Sequence, residues 1–264
     1  MRTGTILDKI LEFKRIEVEK RKKETPISEL EMRVRDQPYP LNFSGALWGE
    51  KVRLIAEVKK ASPSRGVMSE NYDPIGLSKF YAENGAAAIS VLTEVDHFQG
   101  SLEDLSSVKK NVHARGIPVL RKDFLYDPYQ IIESRAAGAD AALLIVAMLE
   151  PTQLNELINA AKSVWIQPLV EVHNEHELEI ALSADSEIIG INHRNLKTFS
   201  VDTSLSIRLK PHIPSGKMVV AESGIHSAED VLPLKKAGIN AILVGEALVT
   251  ASDTTAKVKE LAGV

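Results

Sequence analysis

Eight short apolar runs recur between residues 53 and 248, and segments with helical periodicity separate them. The runs are rich in β-branched residues and nearly continuous in hydrophobicity, as expected for strands that are covered on both faces. This alternation predicts an α/β fold in which helices cover a parallel sheet. The runs span residues 53–59, 87–94, 118–124, 141–147, 165–172, 187–194, 217–223 and 241–248.

The length of the repeat predicts how the sheet closes. The segment 53–264 supplies roughly 26 residues for each of eight strand–helix units, and eight such units form a (β/α)8 barrel, or TIM barrel. Three helical segments, 74–85, 127–138 and 227–238, each end in a glycine, as expected at a helix C-terminus. A doubly wound open sheet is the alternative, but it rarely needs eight units, and no GxGxxG motif follows the first run.

The first 48 residues precede the barrel and are predicted to form helices of their own. Residues 5–23 place an apolar stripe opposite a charged face, and the turn-forming stretch 36–40 ends this pattern. A short second helix is predicted around residues 42–48. Because the stripe has no partner among the eight units, we expect one domain, 1–264, in which the extension 1–48 packs over the mouth of the barrel. The stripe consists of Ile6, Leu7, Ile10, Leu11 and Phe13.

Composition and charge exclude several classes of protein. The chain has no cysteine, which rules out disulfides, cysteine nucleophiles and cysteine metal sites. A net charge of −4 argues against a general nucleic-acid binder. The longest strongly apolar stretch, 141–149, is far shorter than the ~20 residues of a membrane span, and charged residues interrupt the N-terminus where a signal peptide would be apolar. We therefore expect a soluble cytoplasmic protein with no nucleic-acid or membrane partner.

Charged and amide side chains follow the apolar runs at five of the predicted strand ends. In a (β/α)8 barrel these ends form one rim, where active sites lie. One polar residue at a strand end needs no function, because the chain meets water there. Two lysines, three carboxylates, an arginine and an amide around one opening are costly to bury without a function. These residues are Glu57, Lys59, Lys122, Glu171, Asn192, Arg194 and Glu222.

Glycine-containing segments follow the seventh and eighth runs, at residues 221–225 and 243–249. Loops at these two positions form the recurrent phosphate site of this architecture. A tight turn would explain either glycine alone, but the pair indicates a phosphorylated ligand. The loop 59–66 is also suited to an anion, since it contains Lys60, Ser62, Ser64 and Arg65.

The histidines do not indicate a metal site. His173 and His176 are spaced like a pair of metal ligands, but Asn174 and Glu177 predict a capping box that places His176 in the first turn of a helix. No HExxH pattern accompanies them. His193 should point away from the barrel interior, toward the helices. We expect neither a metal nor a cofactor.

Seven segments in this order resemble the indole-3-glycerol phosphate synthase family, from the N-terminal helix to the final one. The resemblance implies a single-barrel enzyme without a cofactor that acts on 1-(2-carboxyphenylamino)-1-deoxyribulose 5-phosphate. The products would be indole-3-glycerol phosphate, carbon dioxide and water. We expect a monomer, and contacts with other enzymes of the pathway stay open. The segments are IAEVKKASPSRG (55–66), SVLTE with FQGSLEDL (90–105), VLRKDFLYDPYQI (119–131), PLVEVHNEHEL (168–178), IGINHRNLKTF (189–199), VVAESGI (219–225) and ILVGEAL (242–248).

The resemblance also implies roles for individual residues. Lys122 would be the general acid of ring closure, Glu171 would orient it, and Lys59 would be a second catalytic lysine. Beside them the predicted catalytic set includes Glu57, Asn192 and Glu222. The substrate and phosphate site would comprise Ser62, Arg194, Ser223, Gly224, Gly245 and Glu246, and the apolar wall against the anthranilate ring would comprise Phe124, Leu143 and Leu144.

Three other functions remain open at this point. A Schiff-base aldolase would use Lys122 as a covalent amine. Phosphoribosylanthranilate isomerase would usually be shorter and would use a carboxylate–cysteine pair, which this cysteine-free chain cannot supply. A non-catalytic sensor of phosphorylated ligands would have little need for two lysines and three carboxylates facing one cavity.

Overall fold

Eight parallel strands close into a barrel in the structure, a computed structural model that describes residues 4, 6–62, 66–68 and 72–264, without the side chains of residues 6 and 62. The predicted TIM barrel is confirmed. The short strands β2 (Ala61–Ser62) and β3 (Gly66–Val67) form an antiparallel hairpin after the first barrel strand. The barrel strands are β1 (Arg53–Val58), β4 (Ala88–Leu92), β5 (Val119–Lys122), β6 (Ala141–Ile145), β7 (Gln167–Val172), β8 (Ile188–Asn192), β9 (Met218–Glu222) and β10 (Ala241–Val244).

Helices precede the barrel and alternate with its strands. The three predicted C-terminal glycines, Gly85, Gly138 and Gly238, follow α4, α6 and α10 with positive φ values of 109°, 97° and 80°. None of the described helices is long and apolar enough to cross a bilayer. The helices are α1 (Ile6–Glu24), α2 (Ile27–Asp36), α3 (Phe43–Ala46), α4 (Pro74–Glu83), α5 (Leu102–Val112), α6 (Pro128–Ala136), α7 (Pro151–Ser163), α8 (Glu175–Ser183), α9 (Leu205–Leu209), α10 (Ala228–Lys236), α11 (Glu246–Val249) and α12 (Thr254–Ala262).

The strands end earlier than the apolar runs that predicted them. The last run was expected to reach residue 248, but β10 ends at Val244 and the helix α11 begins at Glu246. Residues 146–148, after β6, form a 3-10 turn instead of a strand end. Hydrophobicity alone cannot distinguish a buried strand from a buried helical turn, so the predicted strands were too long.

The N-terminal extension differs from its prediction in two respects. Leu7, Ile10 and Leu11 are buried as expected, but Phe13 is 53% exposed and Lys14 occupies a buried position beside it. Lys14 tolerates burial because its Nζ lies 3.0 Å from a carboxylate oxygen of Asp123 in the barrel.

The helix α2 was missed because its sequence is mostly polar. It buries Leu30, which belongs to a small second core with Val18, Tyr129 and Ala136. The predicted helix at 42–48 is the shorter α3, whose N-terminus is capped by the side chain of Asn42.

Candidate active site

A cavity lies at the carboxyl ends of the barrel strands. All six residues that were predicted to be catalytic line it: Glu57, Lys59, Lys122, Glu171, Asn192 and Glu222. Leu7 and Ile10 of α1 line it too, so the N-terminal helix borders the mouth. The structure therefore brings together side chains that are separated by up to 165 residues of sequence, between positions 57 and 222.

The register of the barrel explains why these side chains converge. Glu171 of β7 is level with Ile145 of β6 and with Gly190 of β8, and Glu222 of β9 is level with Asn192. Alternate residues of a strand point to the same face, so each of these strands delivers its last inward-facing residue to one rim.

The two lysines of this cluster differ in how closely they are paired with carboxylates. The Nζ of Lys59 lies 2.7 Å from Oε1 of Glu57. The Nζ of Lys122 lies 3.8 Å from Oε2 of Glu171 and 4.0 Å from Oε2 of Glu222. Burial by itself lowers the pKa of Lys122, but the surrounding carboxylates outweigh it and raise the pKa to about 12. Lys122 is therefore a charged ammonium at neutral pH, held at a distance from its partners.

The three carboxylates differ in the direction in which the site shifts their pKa values. Burial disfavours the charged form of each, but Lys59 and Lys122 outweigh it at Glu57 and hold the pKa of that group below its usual value. Lys122 and His173 likewise lower the pKa of Glu171. The pKa of Glu222 is raised well above its usual value by burial and by the negative charge of Glu171. The pKa values of Glu57 and Glu171 are thus shifted in one direction and that of Glu222 in the other.

Two glycines leave space for these carboxylates. A Cβ at Gly245 would lie 2.3 Å from Oε1 of Glu57, and a Cβ at Gly190 would lie 2.3 Å from Oε1 of Glu222. Any larger residue at either position would push a carboxylate out of the cluster. Gly245 was predicted as a site residue, whereas Gly190 lies within an apolar strand and was not singled out.

The predicted phosphate-binding residues lie on one side of the same cavity. Arg194, Ser223, Gly224, Gly245 and Glu246 all line it. Ser223 and Gly224 have left-handed backbone conformations, with φ values of 69° and 73°. An Nη of Arg194 lies 3.9 Å from a carboxylate oxygen of Glu246. The side chain of Ser62 and the whole of Ser64 and Arg65 lie outside the described residues.

The predicted apolar wall needs a correction. Phe124 lines the cavity, but Leu143 and Leu144 are not among the described residues that do, and Ile145 takes their place. Leu143 is level with Leu169, one layer below the rim where Ile145 is level with Glu171. Leu144 faces the opposite side of the strand by alternation. Both leucines are buried core residues.

The structure confirms the predicted helix cap at Asn174. It also shows a contact of His173 with the site that the sequence analysis did not predict. The side chain of Asn174 accepts a hydrogen bond from the backbone N–H of Glu177 at the start of α8, and the side chain of His176 is 81% exposed. His173, however, points to the site, with its Nε2 3.2 Å from Oε1 of Glu171. A histidine two residues after an inward carboxylate was the sequence signal for this contact. Within the described part of the chain, no three His, Asp or Glu side chains are grouped as a metal site.

His193 faces away from the cavity, as predicted. Its Nε2 lies 2.6 Å from the hydroxyl of Ser206 in α9, and its Nδ1 lies 2.9 Å from the carbonyl oxygen of Ser223. It therefore ties the segment after β9 to the outer helices.

A polar cluster at the carboxyl mouth of a closed parallel barrel defines this protein as a TIM-barrel enzyme. The family model for indole-3-glycerol phosphate synthase matches residues 7–261, and the chain belongs to this family. It is therefore a carboxy-lyase of tryptophan biosynthesis that acts on a small phosphorylated substrate.

Curated relatives agree over nearly the whole chain. The indole-3-glycerol phosphate synthase of Dehalococcoides mccartyi strain CBDB1 is 48% identical over 257 residues, which cover 97% of this chain and 99% of the relative. The enzyme of the same name from Roseiflexus sp. strain RS-1 is 49% identical over 265 residues, covering 98% of each.

Solved structures with low sequence identity to this chain show only that the fold is shared. Thiamine phosphate pyrophosphorylase from Pyrococcus furiosus matches with a TM-score of 0.63 at 16% identity, covering 81% of this chain and 95% of that one. A 3-hexulose-6-phosphate synthase matches with a TM-score of 0.63 at 16% identity, covering 80% and 99%.

Proposed function

We propose that this cavity closes the indole ring of 1-(2-carboxyphenylamino)-1-deoxyribulose 5-phosphate, with Lys122 as the proton donor. The observation that carries the proposal is the placement of Lys122, a charged ammonium 3.8 and 4.0 Å from two buried carboxylates in a cavity. An ammonium held at these distances keeps donor capacity for a substrate oxygen.

The lining of the cavity matches the two halves of this substrate. Leu92, Phe98, Phe124 and Ile145 provide apolar surface for the carboxyphenyl ring, and the rings of Phe98 and Phe124 lie 6.3 Å apart. Lysine and arginine side chains concentrate positive charge for a substrate with a carboxylate and a phosphate, although the chain as a whole carries a net charge of −4.

Ring closure requires the aromatic carbon that bears the carboxylate to attack the ketone carbon. The amino nitrogen of the substrate supplies electron density to the ring, and the ketone oxygen becomes an alkoxide. Lys122 donates a proton to this oxygen as the new carbon–carbon bond forms. Glu171 orients the ammonium and receives a proton at a later step.

Decarboxylation and loss of water complete the reaction. The ring nitrogen is iminium-like after closure, so it accepts the electron pair released as the carboxylate leaves as carbon dioxide. The hydroxyl formed from the ketone then departs as water, which needs a second proton donor and a base. We assign this step to the pair Lys59 and Glu57, with Glu222 and Asn192 beside them.

We assign phosphate binding to the side of the cavity formed after the last two barrel strands. Arg194 supplies the charge, and Ser223, Gly224 and Gly245 supply close backbone approach. Glu246 is a carboxylate and would repel a phosphate, so its distance of 3.9 Å from Arg194 supports a role in holding the guanidinium. Leu7 and Ile10 of the N-terminal extension close the remaining side and exclude water.

The cavity is built from residues of one chain, which supports a monomer as the working unit. A free small-molecule substrate also fits an enzyme of the cytoplasm. Size-exclusion chromatography with light scattering would test the monomer, and a dimer as the smallest active species would contradict it.

The purified protein tests the proposal directly. We expect it to convert the carboxyphenylamino-deoxyribulose phosphate into a product with indole fluorescence. Lys122→Ala should reduce turnover at least ~100-fold, within the range for loss of an acid–base group, while substrate binding is retained. Lys236→Ala, an exposed lysine of α10, is the matched control.

Two outcomes would contradict the assignment of Lys122. One is unchanged turnover of Lys122→Ala. The other is a mass gain on Lys122 after borohydride treatment with a keto-sugar phosphate, which would indicate a Schiff-base aldolase instead.

A further inference from the structure

His173 lies between two carboxylates at the end of β7. Its Nε2 is 3.2 Å from Oε1 of Glu171, and its Nδ1 is 3.0 Å from Oε2 of Glu177. The imidazole is 8% exposed and the Glu171 side chain is 2% exposed, so water does not separate the charges effectively. An imidazole that faces carboxylates through both nitrogens donates through both when it is protonated.

The helix cap of α8 fixes the outer carboxylate. Oε2 of Glu177 accepts a hydrogen bond from the backbone N–H of His173 at 2.8 Å, and its Oε1 accepts one from the side-chain amide of Asn174 at 2.8 Å. The backbone N–H of Glu177 in turn donates to Oδ1 of Asn174 at 2.9 Å. Glu177 is therefore held by three hydrogen bonds within one turn, and it presents a fixed oxygen to the imidazole.

We propose that His173 is a positioning residue, which holds one oxygen of Glu171 so that the other oxygen faces Lys122. The two oxygens of Glu171 are divided in this way, with Oε1 at His173 and Oε2 3.8 Å from the Nζ of Lys122. Without the imidazole, the carboxylate could rotate or pair more closely with the lysine. The proposal rests on the proposed function, in which Lys122 donates a proton and Glu171 orients it.

The charge of His173 supports this geometry. Burial by itself lowers the pKa of the imidazole, but Glu171 and Glu177 outweigh it and raise the pKa to about 10. His173 is thus a cation at neutral pH and compensates part of the negative charge of the cluster. The charged and titratable groups that face Glu171 are Lys122 from β5, Glu222 from β9, Glu57 from β1 and His173 from its own strand end.

The variant His173→Gln tests the proposal, with His176→Gln as the control on an exposed position three residues away. We expect His173→Gln to lower kcat ~10–100-fold, as loss of an outer partner of a functional group does, with little change in KM. The acid limb of the kcat/KM profile should move to higher pH, because the pKa of Glu171 rises when its neighbouring cation is removed. His176→Gln should match the wild type in both.

A purely structural role would lower the melting temperature but leave kcat and the acid limb unchanged, and that result would overturn the proposal. Absence of product from the wild-type enzyme would instead contradict the proposed function.

If His173→Gln does not fold, a second variant and an NMR measurement still test the proposal. Glu177→Gln removes the outer charge, and its amide oxygen can accept one of the two cap hydrogen bonds that the carboxylate accepts. We expect a shift of the acid limb in the same direction. Nitrogen-15 NMR of the imidazole should show both nitrogens of His173 protonated at pH 8. A neutral imidazole at pH 8, or an unshifted profile in Glu177→Gln, would contradict the proposal.

Discussion

Two buried charged clusters meet at the end of β5, and the cations that β5 contributes to them, Arg121 and Lys122, differ in how closely they are paired. Arg121 and Asp123 point outward to the helices, whereas Lys122 between them points into the cavity. In the outer cluster, Arg121 lies 2.9 Å from Glu133 and 3.1 Å from Asp123, and Lys14 lies 3.0 Å from Asp123. In the inner cluster, the ion pairs of Lys122 are 3.8 and 4.0 Å long.

The difference separates a structural task from a chemical one. The outer cluster ties α1 and α6 to the barrel, and short contacts compensate the cost of burying its charges. The inner cluster leaves an ammonium and a buried carboxyl group with a raised pKa facing a cavity, which is costly for stability and useful for proton transfer. Neighbouring residues of a single strand thus have different tasks, because alternation places their side chains on opposite faces of the sheet.

The largest effect on stability should come from breaking the outer cluster. Arg121→Met leaves Asp123 and Glu133 without their shared cation, and we expect the free energy of unfolding to fall by about 3–5 kcal/mol. Urea unfolding would measure it. Arg208→Met, which breaks an exposed pair with Asp202, should change it by less than ~1 kcal/mol. Equal effects of the two variants would contradict the comparison.

Filling the space beside Glu57 should damage the inner cluster. Gly245→Ala places a methyl group 2.3 Å from Oε1 of Glu57, so this carboxylate must shift. Misplacing a catalytic group by about 1 Å can cost up to ~100-fold, and we expect a loss of kcat/KM within that range. The same substitution in a Glu57→Asp background should cost less, because the shorter side chain relieves the clash. If the losses of the two single variants add in the double variant, the methyl group does not act through Glu57.

Glu222 of the inner cluster should reduce stability as pH rises. The pKa of Glu222 is raised in the folded state by burial and by Glu171, so above pH ~4.5 the folded protein holds a proton that the unfolded chain has released. The contribution of Glu222 to the free energy of unfolding is therefore lost as pH rises toward the pKa that this group has in the folded protein. Glu222→Gln cannot ionise, so its melting temperature relative to the wild type should increase from pH 5 to pH 8.

Differential scanning calorimetry at both pH values would measure this difference, with Glu229→Gln on the surface of α10 as the control. A difference for Glu222→Gln that does not change with pH would mean that Glu222 is ionised in the folded protein.

The smallest effect should come from charges that neither cluster contains. Arg33 and Glu29 form an exposed pair one turn apart on α2, with 55% and 42% of their side chains accessible. Arg33→Ala should lower the free energy of unfolding by at most ~0.5 kcal/mol. A loss above 1.5 kcal/mol in urea unfolding would show that ion pairing contributes to stability regardless of burial.

Much of the inner cluster was predictable from the sequence, whereas the outer one was not. Glu57, Lys122 and Glu171 each follow an apolar run, and barrel topology alone sends such residues to one rim. Lys14 and Arg121 gave no comparable signal, since a lysine on a charged helix and an arginine inside a strand reveal no partner. Their burial depends on packing between distant segments.

The remaining errors have a similar origin. Leu143 and Leu144 were assigned to the cavity wall from the resemblance, but Leu143 lies one layer below Ile145 and Leu144 faces the other side of the strand. His173 was considered only as half of a possible metal pair, which was rejected, and its contact with Glu171 was missed because that contact depends on the turn into α8.

The most direct test compares Lys122→Met with Arg121→Met in one experiment, with turnover measured per folded molecule from urea unfolding of the same preparations. We predict that Lys122→Met lowers turnover by ~100-fold or more and destabilises the fold less than Arg121→Met does. Folded Arg121→Met should keep most of its turnover. Near-normal turnover in Lys122→Met, or equal losses of turnover in both variants, would contradict the division between the two clusters.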